Sequence, residues 1–215
     1  MSLQIQQFTF NPFQENSFII WDEDKNALIF DPGCYDRQEE TILKNFIEEN
    51  GLIPIALLNT HAHIDHVLGN AFVVRQFSVP FYLHQVEVET LQAVDSYAHV
   101  YGFANYITSP HPDKFVEHGQ VIHLGKMEIE VRFCPGHSRG HVVYYFKNEG
   151  FVINGDVVFK GSFGRTDLPG GDMLTLKQSI HEQIFTLPEE TVIYCGHGPD
   201  TTVGIEKKTN YILNF

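Results

Sequence analysis

The sequence predicts an α/β (α+β) chain in which two sheets pack together with helices outside. Short apolar, β-prone runs fall into two groups, and each group is followed by helical periodicity. Several runs stop at a glycine, histidine or aspartate, so polar side chains collect at strand ends along one edge. The 215 residues are 43% hydrophobic, enough to bury a substantial core, and no proline-rich, low-complexity or single-charge linker interrupts them. One domain over residues 1–215 is expected, although two pseudo-repeated halves are compatible with that length.

Strands are expected near residues 3–10, 16–22 and 26–31. The polar turn Asp22-Glu23-Asp24-Lys25-Asn26 separates the second from the third, and Asp31-Pro32-Gly33 ends the third. A helix follows near 37–50. Ile53-Pro54-Ile55-Ala56-Leu57-Leu58 is short and apolar throughout, which reads as a buried strand. Residues 67–77 and 85–94 read as helices separated by a short strand at 80–83, and from 95 to 118 no periodicity is clear. Strands near 120–124, 127–133, 141–147 and 150–154 come next, then a helix near 173–186, a strand at 191–195 and a terminal helix near 201–209.

Directly after the strand at 53–58 comes Asn59-Thr60-His61-Ala62-His63-Ile64-Asp65-His66, four metal-binding side chains within six positions. Imidazole nitrogens and carboxylate oxygens hold zinc and related ions at roughly 2.0–2.2 Å. A structural zinc site would normally use cysteines, yet Cys34, Cys134 and Cys195 form no paired short spacing, so a catalytic site is the expectation. Three more apolar runs end at a potential ligand: Cys134-Pro135-Gly136-His137, Asn154-Gly155-Asp156 and Cys195-Gly196-His197. Singly, each is the kind of residue that caps a turn. Read with the first cluster, the three describe one metal site.

In that order, His61, His63, Asp65, His66, His137, Asp156 and His197 resemble the metal signature of the metallo-β-lactamase superfamily, and within it of the glyoxalase II-like (hydroxyacylglutathione hydrolase-like) hydrolases. The resemblance spans nearly the whole chain. It implies a four-layer αββα sandwich of the metallo-β-lactamase type and two divalent metal ions, zinc by preference with iron or manganese as alternatives. One ion is implied at His61, His63 and His137, the other at Asp65, His66 and His197, with Asp156 bridging. The implied reaction is thioester hydrolysis by a hydroxide between the ions, with Asp65 as the catalytic residue that orients it. The alternative is a persulfide dioxygenase, with one iron at His61, His137 and either Asp156 or His63; a lactonase or a non-catalytic metal-binding protein stands further off. Asp31 is expected behind the ligands, as a strand-end carboxylate resembling a buried position of the family.

Phe159-Lys160-Gly161-Ser162-Phe163-Gly164-Arg165-Thr166-Asp167 resembles the substrate-side loop of small bacterial glyoxalase II-like enzymes, and a similar stretch occurs in the persulfide dioxygenases. Arg165 offers a cationic fork to a substrate carboxylate such as one on glutathione, or else it pins the loop by pairing with Asp167. Three departures from the family stand out. With Phe215 as the last residue given, the C-terminal helical domain of the larger enzymes is not expected, and Pro199 replaces their tyrosine two positions after the last ligand histidine. Ser138-Arg139 replaces the usual Thr-Pro, and Tyr97, Tyr101, Phe103 and Tyr106 are candidates for a substrate lid or for core packing.

Charge weighs against one class of function. With 14 basic against 27 acidic residues the chain carries a net −13, which disfavours nucleic acid as a partner. A small-molecule thioester, glutathione-linked in the implied reaction, is the expected partner, with Arg165, Arg139, Lys207 and Lys208 as candidate cations. No apolar run approaches the about 18–20 residues of a membrane span, and Met1-Ser2-Leu3-Gln4-Ile5-Gln6-Gln7-Phe8 has no basic segment and apolar stretch of the leader kind. Three cysteines, an odd number, argue against a disulfide framework, so a reducing, cytoplasmic setting is expected. Oligomeric state has no signature in the sequence.

Overall fold

Hydrophobic alternation and turn chemistry build two mixed sheets whose parallel strands deliver the polar residues. A computed structural model describes residues 3–215; Met1 and Ser2, the start of the stretch read for a leader, lie outside the described residues. The chain packs as two compact units. One comprises the chain up to Phe115 with Leu124–Met127, the other Val116–His123 with Glu128–Phe215.

In the N-terminal unit β1 (Gln4–Phe10), β2 (Glu15–Trp21) and β3 (Asn26–Phe30) form an antiparallel meander. Asp22 closes the β2–β3 turn, its Oδ1 accepting from the N–H groups of Asp24 and Asn26, both at 3.0 Å. Helix α1 (Arg37–Glu49) starts where Asp36 accepts from the Gln38 and Glu39 N–H groups, and it crosses over so that β4 (Ile53–Leu58) pairs parallel to β3. The helical stretch expected at 67–77 is two helices, α2 (Ile64–Val67) and α3 (Asn70–Phe77), broken at Gly69. A Cβ at Gly69 would overlap the Cys34 sulfur, so the close approach of these segments needs glycine. β5 (Phe81–His84) adds parallel to β4, a 3-10 turn leads into α4 (Val88–Tyr97), and β6 (Lys114–Val116) completes the order β1-β2-β3-β4-β5-β6. The core joins Ala27 and Ile29 of β3 and Leu57 of β4 to Leu43 and Ile47 of α1 and Phe72 and Val73 of α3.

The segment 95–118, expected to be irregular, is partly ordered: α4 runs to Tyr97, a 3-10 turn covers Ala98–Tyr101 and β6 lies near its end. Of its aromatics Phe103 is buried in the core, Tyr97 and Tyr106 pack against that core, and Tyr101 is exposed.

The second sheet runs β14-β13-β10-β9-β8-β7, with β7 (Val121–Leu124), β8 (Met127–Phe133), β9 (Val142–Phe146), β10 (Phe151–Gly155), β13 (Val192–Cys195) and β14 (Thr201–Thr202). The hairpin β11 (Val158–Phe159) and β12 (Ser162–Phe163) stands apart from it. Here too an antiparallel run, β8-β9-β10, is followed by a helical crossover and a parallel partner, β13. The crossover helix α5 (Met173–Ser179), capped by Asp172, widens into a π turn at Ile180–Ile184. The terminal helix expected from 201 is α6 (Val203–Thr209), because Thr201 and Thr202 pair with β13 and the Thr202 hydroxyl caps the helix. Leu176 and Ile180 pack with Val143, Tyr145, Val152 and Ile193 as this unit's core. Among the described residues no helix is long and apolar enough to cross a membrane.

Candidate metal centre

Each unit brings its polar residues to the carboxyl ends of two neighbouring parallel strands, where mixed α/β sheets leave room for a ligand. In the N-terminal unit these are β3, ending at Asp31, and β4, ending at the Asn59–His66 segment. In the C-terminal unit they are β10, ending at Asp156, and β13, ending at His197.

Asp31 organises the first set. It is buried with a left-handed backbone, φ 43°, a conformation seldom kept without reason in a non-glycine residue. Its Oδ1 accepts from the Thr60 N–H at 2.7 Å and from Asn59 Nδ2 at 3.1 Å, and its Oδ2 accepts the Thr60 hydroxyl at 2.6 Å. Since Thr60 gives its only hydroxyl proton to Asp31, its Oγ1 can only accept from His61 Nδ1, 3.0 Å away. The His61 proton therefore sits on Nδ1, and Nε2 carries the lone pair. His66 follows the same logic, with Nδ1 3.2 Å from Asp31 Oδ2.

The three rings crowd together, His61 lying 4.7 Å from His63 and 4.2 Å from His66 between centroids. Ligand atoms of Asp31, His61 and His66 fall within 4.8 Å of one another. Asp65, in α2, keeps its Oδ2 3.8 Å from His66 Nε2, while its carbonyl accepts from Asn11 Nδ2 at 3.1 Å. The buried Glu87 accepts the Ala62 N–H at 2.8 Å, which fixes the backbone between His61 and His63.

The C-terminal set is built alike. His137 Nδ1 lies 2.8 Å from the Arg165 carbonyl, which can only accept, so this ring too is protonated at Nδ1. Its Nε2 lies 3.5 Å from Asp156 Oδ2, and His197 Nε2 lies 3.5 Å from the same oxygen. Two donors about 2.1 Å from a shared tetrahedral ion are about 3.4 Å apart, so these spacings fit a metal. A lone pair on His137 Nε2 facing a carboxylate oxygen is likewise an arrangement that a cation stabilises. The Asp156 N–H donates to Nε2 of buried His141 at 3.1 Å, and a Cβ on Gly164 would overlap the Asp156 carbonyl and reach 2.8 Å from His137 Nδ1.

Asp31, His61, His63, Asp65 and His66 gather in one unit, and His137, Asp156 and His197 in the other. The residues the sequence did not single out are Glu15, Asn59, Thr60, Glu87 and His141. Asn59 and Thr60 carried a signal, since they abut the cluster; the other three carried none. Arg165 is exposed and holds Asp167 through Nε and Nη2 at 2.7 and 2.8 Å, the loop-pinning arrangement. Lys208 pairs with Glu189 at 3.0 Å, and the Arg139 side chain packs against Gly170.

Glu15 is wholly buried, and burial pushes its carboxyl well above the usual range, with the His66 imidazole opposing that rise.

Residues 10–197 match the Metallo-beta-lactamase superfamily. A probable metallo-hydrolase of Bacillus subtilis (strain 168), YqgX, is 42% identical over 94% of both chains. A hydroxyacylglutathione hydrolase of Haemophilus influenzae, GloC, is 35% identical over 99% of both. The solved structure of the BLEG-1 B3 metallo-beta-lactamase superposes with a TM-score of 0.90 at 38% identity, covering 99% of this chain and 100% of its own. The match with that structure gives the chain the fold of this group, sheets flanked by helices. The chain belongs to the metallo-beta-lactamase superfamily and is a metal-dependent hydrolase of it, with histidine-rich candidate metal sites.

Proposed function

We propose that the chain is a dinuclear thioester hydrolase of the hydroxyacylglutathione hydrolase type. The carrying observation is the fixed Nδ1 hydrogen bonding of His61, His66 and His137, which leaves Nε2 as the ligating atom in every case. In this reading, which follows the family resemblance, His61, His63 and His137 hold one ion and Asp65, His66 and His197 the other, with Asp156 shared by both. Zinc is the proposed metal, although histidine and carboxylate donors also accept iron and manganese. When bound, such ions supply a water of lowered pKa and polarise a carbonyl.

The protein's own residues do the rest. Asp31 holds His66 directly and His61 through Thr60, so two imidazoles are fixed by one carboxylate. Asp65, at the first turn of α2, orients the attacking water. The His197 side chain is 26% exposed where that of His66 is 0%, so we place substrate access on the His197 side. Arg165, whose exposed pair with Asp167 is weakly held in water, is proposed to meet a carboxylate on the thiol carrier. The 35% identity to a hydroxyacylglutathione hydrolase over 99% of both chains supports the thioester class.

The test is turnover by metal-reconstituted protein. Hydrolysis of lactoylglutathione, with β-lactams left intact, is the expected result. Oxygen consumption on glutathione persulfide without thioester hydrolysis contradicts the proposal, and so does β-lactam hydrolysis alone.

A further inference from the structure

A fully buried carboxylate ordinarily has all its lone pairs engaged, because an unmet charge in the interior is costly. Glu15, at the start of β2, departs from this. Its Oε2 accepts the Ser17 hydroxyl at 2.8 Å, and Ser17 Oγ in turn accepts the Gly33 N–H at 2.9 Å. Its Oε1 is buried without a hydrogen-bond partner and points toward His66 Nδ1, 3.8 Å away. The surroundings are shaped to admit this carboxylate. A Cβ on Gly33 would overlap Glu15 Oε2 and come within 2.7 Å of the Asp65 carbonyl and of Asn11 Nδ2. His66 Nδ1 thus faces two buried carboxylates from different strands, Asp31 at 3.2 Å and Glu15 at 3.8 Å.

We propose that Glu15 is a positioning residue for His66, a second carboxylate behind the imidazole that strengthens metal binding through Nε2. The inference rests on the reading of His66 as a metal ligand. Asp31 accepts the Nδ1 proton, while Glu15, whose ionised form a cation held at Nε2 would favour against the cost of burial, would add negative charge on the same side of the ring and so raise the basicity of the opposite nitrogen. An isosteric amide at position 15 keeps the volume and an acceptor for Ser17 but removes that charge.

The experiment titrates metal-free protein with Zn²⁺ against a chromophoric chelator, comparing the parent, Glu15→Gln and Glu15→Met, with thermal unfolding of each metal-free form alongside. Both variants are expected to weaken one of two binding steps by about 10–100-fold and to leave the other unchanged, with metal-free unfolding close to the parent's. Unaltered binding in Glu15→Gln overturns the proposal. So does failure of both variants to fold without metal, which assigns Glu15 to the fold alone. A parent with a single binding step contradicts the two-ion reading instead, and the proposal then turns on whether Glu15→Gln weakens that step.

Discussion

The Asp31 carboxylate faces the His66 imidazole, with Oδ2 3.2 Å from Nδ1, while the same oxygen accepts the Thr60 hydroxyl at 2.6 Å. One side chain thereby orients two histidines, and both effects fail together when it is removed. Asp31→Ala is expected to weaken metal binding by at least about 10–100-fold. It also strands the Thr60 N–H, so metal-free protein is expected to lose roughly 1–3 kcal/mol in urea unfolding. Chelator competition and the unfolding midpoint check the two halves separately.

Gly164 makes room for the C-terminal set. An added Cβ there would overlap the Asp156 carbonyl and press on His137 Nδ1 at 2.8 Å. Gly164→Ala is expected to fold but to bind metal at least tenfold more weakly, roughly the loss seen when a partner behind a ligand is disturbed. Gly150→Ala is the control: φ is +73° and nothing lies within 4 Å of the new Cβ, so it is expected to cost about 1–2 kcal/mol of stability and leave metal affinity alone.

The donors were legible because their identity is local. His61, His63, Asp65 and His66 crowd one segment, and His137, Asp156 and His197 each end an apolar run. What stands behind them was mostly not legible, because it depends on long-range approach. Asp31 was expected there from the family resemblance, but its reach to Thr60 across 29 positions was not, nor was that of Glu87 to Ala62 across 25, and no sequence period connects such residues. Strand-forming runs of normal length were likewise read correctly, whereas β6, β11, β12 and β14 are two or three residues long and carry too little pattern. The stretch at 67–77 looked continuous because its apolar spacing continues across Gly69; the break comes from Cys34, thirty-five positions away.

Asp22 gives the chain a predictable response to acid. Burial alone would raise its carboxyl pKa, but hydrogen bonds from the Asn26 side chain and from the N–H groups of Lys126, Asn26 and Asp24 outweigh burial and hold it below its ordinary value. A depressed folded-state pKa contributes stability that is full above the unfolded value, near 3.8, and disappears as pH falls through the folded one. In metal-free protein, Asp22→Asn is expected to be less stable than the parent at pH 6, with the gap closing below about pH 4. A gap that stays constant from pH 6 to pH 3 contradicts this.

The three thiols are expected to be inert. Cys34, Cys134 and Cys195 are all buried, and burial pushes each thiol up, that of Cys195 to about 12. A chromogenic disulfide reagent at neutral pH is expected to react slowly with folded protein and rapidly with three thiols per chain in denaturant. Fast reaction of any one of them in folded protein identifies a thiol that the structure does not expose.

The proposed function turns on seven side chains holding two ions. Its most direct test is the number of ions bound per chain by the parent and by His197→Ala after reconstitution and removal of excess metal. About two ions in the parent and about one in the variant, with thioester hydrolysis lost, is the predicted result. The same stoichiometry and rate in both proteins contradicts the account.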